Sequence, residues 1–122
     1  MRMKREKSKE DYLEAILQIS QAKEKVKSID VANKLGFSKP SVSVGMKKLK
    51  DEKLILIDSK GVITLTEQGA KIAKETLEKH QFLTDFFIAI GVEKKKAEEE
   101  ACEIEHSLST ETLEKLKTFV KK

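Results

Sequence analysis

The sequence contains one cysteine, one proline, no tryptophan and no long run of apolar residues. A single cysteine cannot form an internal disulfide, so Cys102 is left as a core residue, a reactive thiol or a metal ligand. No apolar run is long enough to span a bilayer, and residues 1–8 are basic and polar, unlike a signal sequence. We therefore expect a protein with no membrane segment, located in the cytoplasm.

Length and composition predict a small helical protein. The chain has 122 residues, of which 39% are apolar and only 5% aromatic. This length leaves room for a modest core, and the apolar fraction is too high for a disordered chain. Composition therefore favours a compact, mostly helical fold.

Charge divides unevenly between the two halves of the chain. Residues 1–60 hold 15 Lys and Arg against 9 Asp and Glu, a net charge of +6, whereas residues 61–122 hold 10 against 12, a net charge of −2. Such asymmetry suggests that the first half meets a polyanion and the second half has another task. A solvated lysine-rich surface is the alternative interpretation.

The chain opens with two predicted helices. An apolar stripe indicates a first helix over residues 8–21, with Ser8 able to cap its start. A polar linker over residues 22–27 follows, and Ser28 is predicted to cap a short second helix that ends at Gly36 in a left-handed C-cap. The residues expected to be buried on this second helix are Ile29, Val31, Ala32 and Leu35.

A third helix is predicted from about residue 39 to residue 52. Ser38 is expected to cap it, and Pro40 is tolerated in the first turn because no helical hydrogen bond is lost there. A short helix, a three-residue turn with glycine and a second helix with small polar groups and lysines form a helix-turn-helix pattern, whose second helix enters the DNA major groove. A plain helical hairpin is the alternative. The residues expected to contact DNA are Ser38, Lys39, Pro40, Ser41, Ser43, Val44, Lys47 and Lys48.

Residues 54–65 are predicted to form a β-hairpin around a tight turn at residues 59–61. A hairpin directly after a helix-turn-helix is the wing of a winged helix. Lys60 at its tip would lie over a phosphate or near the minor groove, where a positive charge gains from counterion release. The same hairpin also occurs in winged-helix proteins that bind only other proteins.

A long helix is predicted from Thr66, with an interruption at His80. Large apolar residues then follow one another closely before Gly91 ends the segment. So many on one short element exceed what a small core needs, and an exposed set of this kind typically marks a subunit interface. The residues of this phenylalanine ridge are Phe82, Leu83, Phe86, Phe87 and Ile90, and all of them except Leu83 are predicted to form the interface.

The sequence Cys102-Glu103-Ile104-Glu105-His106 carries three metal-ligand side chains. On a predicted helix over residues 93–107, Cys102, Glu105 and His106 fall on one face, because residues three and four apart are neighbours there. Thiol, carboxylate and imidazole are ligands of first-row divalent metals. A solvated helix face is the alternative. Ser109 is predicted to cap a last helix whose inward residues are Leu113, Leu116 and Phe119 or Val120.

Several segments together resemble the metal-dependent repressors typified by the diphtheria toxin repressor and the manganese transport regulator. The matching segments are Asp11-Tyr12-Leu13-Glu14, Leu65-Thr66-Glu67-Gln68-Gly69, Ile90-Gly91-Val92 and the stretch from Cys102 to Ser109. The resemblance covers essentially the whole chain. It implies a mostly α fold with a small β-hairpin: an N-terminal winged helix-turn-helix at residues 1–66, then an α-helical metal-binding and dimerisation domain at residues 67–122.

The resemblance also implies a set of metal ligands. They are Asp11, Glu14, His80, Cys102, Glu105 and His106, around one or two divalent ions. A cysteine at position 102 is typical of the family's iron sensors, whereas Asp11 replaces their methionine, so Mn²⁺ and Fe²⁺ both remain open. Co²⁺, Ni²⁺ or Zn²⁺ would bind in the test tube, since affinity follows the Irving–Williams order. Thr84 stands where a glutamate often serves an ancillary ion, and Glu98 could replace that ligand.

The implied function is metal-dependent repression of metal-uptake genes by a homodimer that binds a double-stranded operator of approximate two-fold symmetry. An ion bound by residues of both domains would hold the two recognition helices about 34 to 36 Å apart, one turn of DNA. Because the sequence ends at Lys122, we expect no counterpart of the SH3-like third domain of longer iron-type members. The alternatives are a metal-independent winged-helix regulator and a metallohydrolase, although no His-Glu-x-x-His motif is present.

Overall fold

The computed structural model describes the backbone of residues 4–121 and the side chains of residues 8–121. Its elements are α1 (Lys4–Ala22), α2 (Ser28–Leu35), α3 (Lys39–Asp51), β1 (Ile55–Ile57), β2 (Ile63–Leu65), α4 (Glu67–Ala89), α5 (Lys94–Ile104) and α6 (Thr110–Lys121). The predicted class, mostly α with one small β-hairpin, is confirmed. Among the described residues no helix has the length and apolar character that a membrane crossing requires.

The chain divides into two compact units. Among the described residues, one comprises residues 4–75 and the other begins at residue 76. The sequence places the domain boundary after residue 66, and that placement stays a prediction. Each unit is described separately below.

In the first unit, α1 packs against α2 and α3 around a continuous apolar core. This helix begins at Lys4, so Ser8 lies inside it and is not its N-cap as predicted. The charged residues that precede Ser8 are lysine, arginine and glutamate, all good helix formers, and they extend the helix toward the N-terminus. The largest fully buried side chains of this core are Leu13, Ile16, Val31, Val42, Met46, Leu49 and Ile55.

The second helix starts differently from the sequence prediction. Its N-cap is Lys27 rather than Ser28, and the Lys27 amide donates to Asp30 Oδ2 at 2.9 Å. This backbone hydrogen bond, followed by a side-chain hydrogen bond from Lys23 Nζ to Oδ1 at 3.1 Å, holds the pKa of Asp30 below its usual range. Ile29 is 40% exposed, so its predicted burial is wrong.

The turn between α2 and α3 has the predicted geometry. Gly36 has a φ of 72°, in the left-handed region, and its amide donates to the Ala32 carbonyl oxygen. Ser38 is the N-cap of α3, since its Oγ accepts a hydrogen bond from the Ser41 amide at 3.3 Å, and Pro40 lies in the first turn. The helix-turn-helix prediction is thus confirmed in its local details.

The hairpin pairs β1 and β2 in an antiparallel register with Ile55 opposite Leu65 and Ile57 opposite Ile63. Asp58 Oδ1 accepts hydrogen bonds from the backbone amides of residues 60 and 62 and so closes the turn. The segment predicted as a polar linker packs against this hairpin. Val26 is 2% exposed, and its carbonyl oxygen accepts a hydrogen bond from the Ile63 amide at 2.7 Å. The apolar side chain of Val26 explains this anchoring.

The long helix α4 runs without a break from Glu67 to Ala89, so the predicted interruption at His80 is wrong. Histidine is an acceptable helix residue, and the apolar pattern continues on both sides of it. The start is as predicted, since Thr66 Oγ1 accepts from the Gly69 amide at 3.1 Å.

The helices that follow differ from prediction at their ends. Helix α5 stops at Ile104, so Glu105 and His106 lie in the turn after it rather than on a helix that continues to residue 107. Ser109 caps α6 as predicted, accepting from the Thr112 amide at 3.1 Å. Leu113 is buried, but Phe119 is 75% exposed and Val120 50% exposed, so the prediction that one of them packs back is wrong.

Candidate metal centre and DNA-binding surface

Three of the predicted ligands lie together within the second unit. Glu105 and His106 are buried, with only 1% and 2% of their surface exposed, and His80 is partly buried on α4. His80 Nδ1 lies 3.4 Å from Glu105 Oε2, and His106 Nε2 lies 3.5 Å from Glu105 Oε1. The carboxylate of Glu105 therefore stands between two imidazole rings.

Neither carboxylate oxygen of Glu105 has a hydrogen-bond partner among the described residues. A buried carboxylate without hydrogen bonds is costly unless a cation compensates it. Two atoms that bind one ion with bonds of about 2.1 Å lie roughly 3.0 Å apart at an octahedral angle and roughly 3.4 Å apart at a tetrahedral angle. Each of these two nitrogen–oxygen separations, taken by itself, fits a pair of ligands on one ion better than a direct hydrogen bond.

The turn after α5 sets the direction of these side chains. Glu105 keeps helical dihedral angles (φ −58°, ψ −32°), and its amide still donates to the Ala101 carbonyl oxygen at 2.9 Å. The amides of Ser107 and Leu108 then both donate to the carbonyl oxygen of Ile104, at 3.0 and 3.1 Å. Glu105 and His106 consequently project inward from the end of α5, while Ile104 is 41% exposed.

The remaining predicted ligands of this unit lie less centrally. Cys102 is a half-buried free thiol on α5. Within the described part of the second unit, no three ligand atoms lie within 4.8 Å of one another, so the pairs around Glu105 do not form a complete coordination set. Glu98 is exposed, whereas Thr84 is buried and its Oγ1 has no hydrogen-bond partner among the described residues.

In the first unit, α1 carries the two predicted carboxylate ligands. Asp11 and Glu14 are both partly buried, and their spacing of three places them on one edge of the helix. Glu14 Oε2 is fully buried. Burial, and next the negative charge of Asp11, raise the pKa of the neighbouring Tyr12 hydroxyl. This edge of α1 is thus an electronegative, partly desolvated surface with the oxygen ligands that hard divalent ions prefer.

The outer face of α3 and the tip of the hairpin carry every residue predicted to contact DNA. Val44 stands out because it is apolar and yet 57% exposed among serines and lysines. Lys50, which sequence analysis did not select, is a further exposed lysine in the last turn of α3. The predicted residues, all exposed, are Ser38, Lys39, Pro40, Ser41, Ser43, Val44, Lys47, Lys48 and Lys60.

The phenylalanine ridge lies near the C-terminal end of α4. Phe82, Phe86 and Phe87 are half-buried and Ile90 is 64% exposed. Phe82 and Phe86 stack with ring centroids 6.1 Å apart. Sequence analysis missed Ile88, which is 41% exposed in the same stretch and whose hydrophobic character was the available signal.

Comparison with protein families assigns both halves of the chain. Residues 6–63 match the family described as iron dependent repressor, N-terminal DNA binding domain, and residues 66–122 match the iron dependent repressor, metal binding and dimerisation domain. The chain belongs to the iron-dependent repressor family. Members of this family are metal-dependent DNA-binding repressors, so the predicted class of function is confirmed.

Individual relatives of this iron-dependent repressor agree. An uncharacterized HTH-type transcriptional regulator of Methanocaldococcus jannaschii is 39% identical over 115 residues, covering 93% of this chain and 92% of the relative. The transcriptional regulator MntR of Escherichia coli O6:H1 is 35% identical over 114 residues, covering 93% and 73%. Both relatives are named as transcriptional regulators.

A solved structure shows the same fold in a longer family member. The manganese regulator SloR superposes with a TM-score of 0.82 at 33% identity, covering 93% of this chain. The iron-dependent repressor chain spans 53% of the SloR chain. The winged helix-turn-helix and the helical segment after it are therefore the parts that the two proteins share.

Proposed function

We propose that this iron-dependent repressor is a cytoplasmic, Mn²⁺- or Fe²⁺-responsive repressor of metal-uptake genes that binds a two-fold symmetric operator as a homodimer. The buried carboxylate of Glu105 between His80 and His106 is the observation that carries the proposal. Because neither of its oxygens has a hydrogen-bond partner among the described residues, a bound cation would supply the compensating charge. The manganese specificity named for SloR supports the choice of metal class.

The proposed ligand set is the one that the family resemblance implies. His80, Glu105 and His106 are its core, Cys102 adds a thiolate, and α1 contributes two carboxylates; these two are Asp11 and Glu14. Imidazole, thiolate and carboxylate together suit a first-row divalent ion, which would supply positive charge to carboxylates that otherwise repel one another. With Thr84 in place of a charged side chain and Glu98 exposed, we propose one ion per subunit.

The first unit explains how ligation through α1 reaches DNA. Helix α1 packs directly against α2 and α3, so a constraint on the position of Asp11 and Glu14 also constrains the recognition helix α3. Metal thus favours the DNA-binding population of an existing equilibrium.

On DNA, the exposed face of α3 would enter the major groove. Lys39, Lys47 and Lys48 would contact phosphates and give binding its salt dependence, and Lys60 would do the same from the hairpin. Ser41, Ser43 and Val44 would face base edges.

The homodimer would form through the phenylalanine ridge. Exposed Ile90 and the half-buried Phe82, Phe86 and Phe87 offer an apolar surface that a second copy can cover. Such an interface pairs the same surface on both subunits and gives a two-fold axis, which the operator would share.

The decisive experiment is a DNA-binding titration with Mn²⁺, with Fe²⁺ under anaerobic conditions and with chelator. The probe is DNA selected by the protein from a random library in the presence of Mn²⁺, tested beside the promoter region of its own gene. We expect high affinity only with metal and a steep loss of affinity with rising salt. Equal affinity with metal and with chelator would show a metal-independent winged-helix regulator instead.

A further inference from the structure

Lys79 is a buried lysine on α4, directly before the proposed ligand His80. Its side chain is 5% exposed, and its Nζ donates a hydrogen bond of 2.8 Å to the backbone carbonyl oxygen of Leu108. Lysine is almost never fully buried unless it is paired, because an ammonium group loses its hydration on burial. A buried lysine at this point of the chain therefore calls for a specific role.

Leu108 belongs to the turn that carries Glu105 and His106. Hydrogen bonds from the amides of Ser107 and Leu108 to the Ile104 carbonyl oxygen fix the start of this turn to the end of α5. The bond from Lys79 to Leu108 joins residues 29 apart in sequence and fixes the other end of the turn to α4. It is thus one of the contacts that hold the turn to the helix carrying His80.

We infer that Lys79 is a positioning residue of the metal centre, which holds the turn of residues 105–108 so that Glu105 and His106 face His80. The inference rests on the proposed function, because it concerns ligands of the proposed ion. Lys79 is not itself a ligand, since a protonated ammonium group has no lone pair to offer. Outer interactions that orient metal ligands typically change metal affinity by about 10- to 100-fold.

The positive charge of Lys79 should change metal affinity in the direction opposite to the effect of its hydrogen bond. A buried cation near a metal site repels a divalent ion, so removing the charge alone should tighten metal binding. Removing the hydrogen bond that orients the turn should weaken it. The sign of the change in affinity therefore separates a positioning role from a purely electrostatic effect.

The test uses the full chain with Co²⁺ as an air-stable probe whose absorption spectrum reports the geometry of its ligands. Lys79→Met removes the charge and the donor but keeps an apolar side chain of similar length, Lys79→Gln is a shorter neutral variant, and Lys79→Arg keeps the charge and a donor. Lys74→Met is the matched control, because Lys74 is an exposed lysine on the same helix. Co²⁺ affinity, the absorption spectrum and the melting temperature in chelator are measured for each.

We expect Lys79→Met and Lys79→Gln to weaken Co²⁺ binding by about 10- to 100-fold and to change the spectrum. Lys79→Arg should recover part of the affinity, and Lys74→Met should match the wild type. The melting temperature in chelator should fall little in at least one neutral variant, since a buried charge has been removed.

Three results separate the inference from the proposed function. Co²⁺ binding by Lys79→Met and Lys79→Gln at wild-type strength or tighter would overturn the inference. The inference would also be overturned if both neutral variants lost Co²⁺ affinity and lost stability in chelator to the same extent. That result would show that the hydrogen bond of Lys79 only stabilises the fold. If the wild-type protein binds neither Co²⁺ nor Mn²⁺, the proposed function itself fails.

Discussion

His80 Nδ1 lies 3.4 Å from Glu105 Oε2, across the gap between α4 and the turn that follows α5. The other oxygen of the same carboxylate lies 3.5 Å from His106 Nε2. Both separations exceed the usual length of about 2.7 to 2.9 Å for a charge-assisted hydrogen bond. Among the described residues the buried Glu105 carboxylate therefore has two imidazole neighbours but no hydrogen bond, as expected for the metal ligand that we propose.

The first prediction concerns Glu105→Gln, which preserves the shape of the side chain and removes its charge. Loss of a directly coordinating carboxylate should weaken Mn²⁺ and Co²⁺ binding by more than about 100-fold, because even outer-shell changes cost up to that amount. In chelator the melting temperature should stay equal or rise, since a buried charge without hydrogen bonds is removed. Titration calorimetry and thermal unfolding in chelator measure the two effects.

Glu99→Gln is the control for this substitution, because Glu99 is an exposed glutamate on α5. It should leave both metal affinity and melting temperature unchanged. A Glu105→Gln protein that binds Mn²⁺ as well as the wild type would remove Glu105 from the ligand set.

The second prediction concerns metal preference and Cys102. Replacing the thiol in Cys102→Asp substitutes a hard ligand for a soft one, so the ratio of Mn²⁺ to Fe²⁺ affinity should rise. A change on the order of tenfold corresponds to about 1.4 kcal/mol. Competition titrations under anaerobic conditions give the ratio.

Co²⁺ supplies the control for the role of Cys102. The wild-type Co²⁺ complex should show an intense thiolate charge-transfer absorption that both Cys102→Asp and Cys102→Ala lack. A wild-type complex without that absorption would show that Cys102 does not bind the metal.

Local sequence patterns predict much of the secondary structure of the first unit. The Ser38 cap and the left-handed Gly36 follow from short-range rules on helix caps, which act within one or two turns. The errors there concern the starts of α1 and α2, the burial of Ile29 and the anchoring of Val26. Lys27 is the N-cap of α2 and its amide donates a hydrogen bond to the Asp30 carboxylate, an arrangement that the sequence does not distinguish from a serine cap at Ser28.

The second unit was harder to foresee. Spacing alone predicts a helix through Glu105 and His106, whereas α5 ends at Ile104 and these two predicted ligands lie in a turn to which Lys79 donates a hydrogen bond. That bond joins α4 to a segment 29 residues away, and no local pattern encodes it. The exposure of Phe119 likewise depends on how α6 packs through its buried residue Leu113. This packing is a tertiary property that the local sequence does not encode.

The third prediction concerns the exposed Val44 on the recognition helix. A valine can offer only apolar contact, and the apolar feature of the major groove is the thymine methyl group. We expect Val44→Gln to change base preference at one position of each operator half-site, with a discrimination of about 1 to 3 kcal/mol. Selection from random DNA with both proteins, followed by replacement of the selected thymine with uracil, measures the effect.

Lys47→Ala provides the contrast to the Val44 substitution. Loss of a phosphate contact should weaken binding to all sequences alike and reduce the salt slope by about 0.9 per contact. Wild-type binding that is indifferent to the thymine methyl group at every selected position would contradict the role of Val44.

The fourth prediction concerns two glycines in helices. Gly→Ala in a helix ordinarily stabilises it by about 1 kcal/mol. A Cβ on Gly69 would collide with the backbone carbonyl oxygen of Leu54, and one on Gly45 would collide with the Tyr12 ring. We expect both alanine variants to be destabilised by about 1 to 3 kcal/mol in urea unfolding, Gly69→Ala more strongly because backbone yields less than a side chain.

A double variant tests the cause of the loss at Gly45. Gly45→Ala combined with Tyr12→Leu should lose less stability than the sum of the two single changes, since the contact that Cβ disturbs is gone. If the stability losses of the two single variants add in the double variant, contact with the Tyr12 ring is not the source of the strain at Gly45.

The last prediction concerns Asp30, whose pKa is lowered by the Lys27 amide and the Lys23 ammonium group. A lowered pKa means that folding favours the carboxylate. Its contribution to stability is therefore complete above the ordinary value of 3.8 and is lost as the pH falls through the lower pKa of the folded protein.

We expect Asp30→Asn to lose about 0.5 to 1 kcal/mol at pH 7, the range of a helix cap. The deficit should stay constant from pH 8 to pH 5 and vanish in stronger acid. Urea unfolding across this range measures it, with Asp51→Asn, an exposed aspartate at the end of α3, as the control. A deficit that persists unchanged in acid would show that the carboxylate charge is not its source.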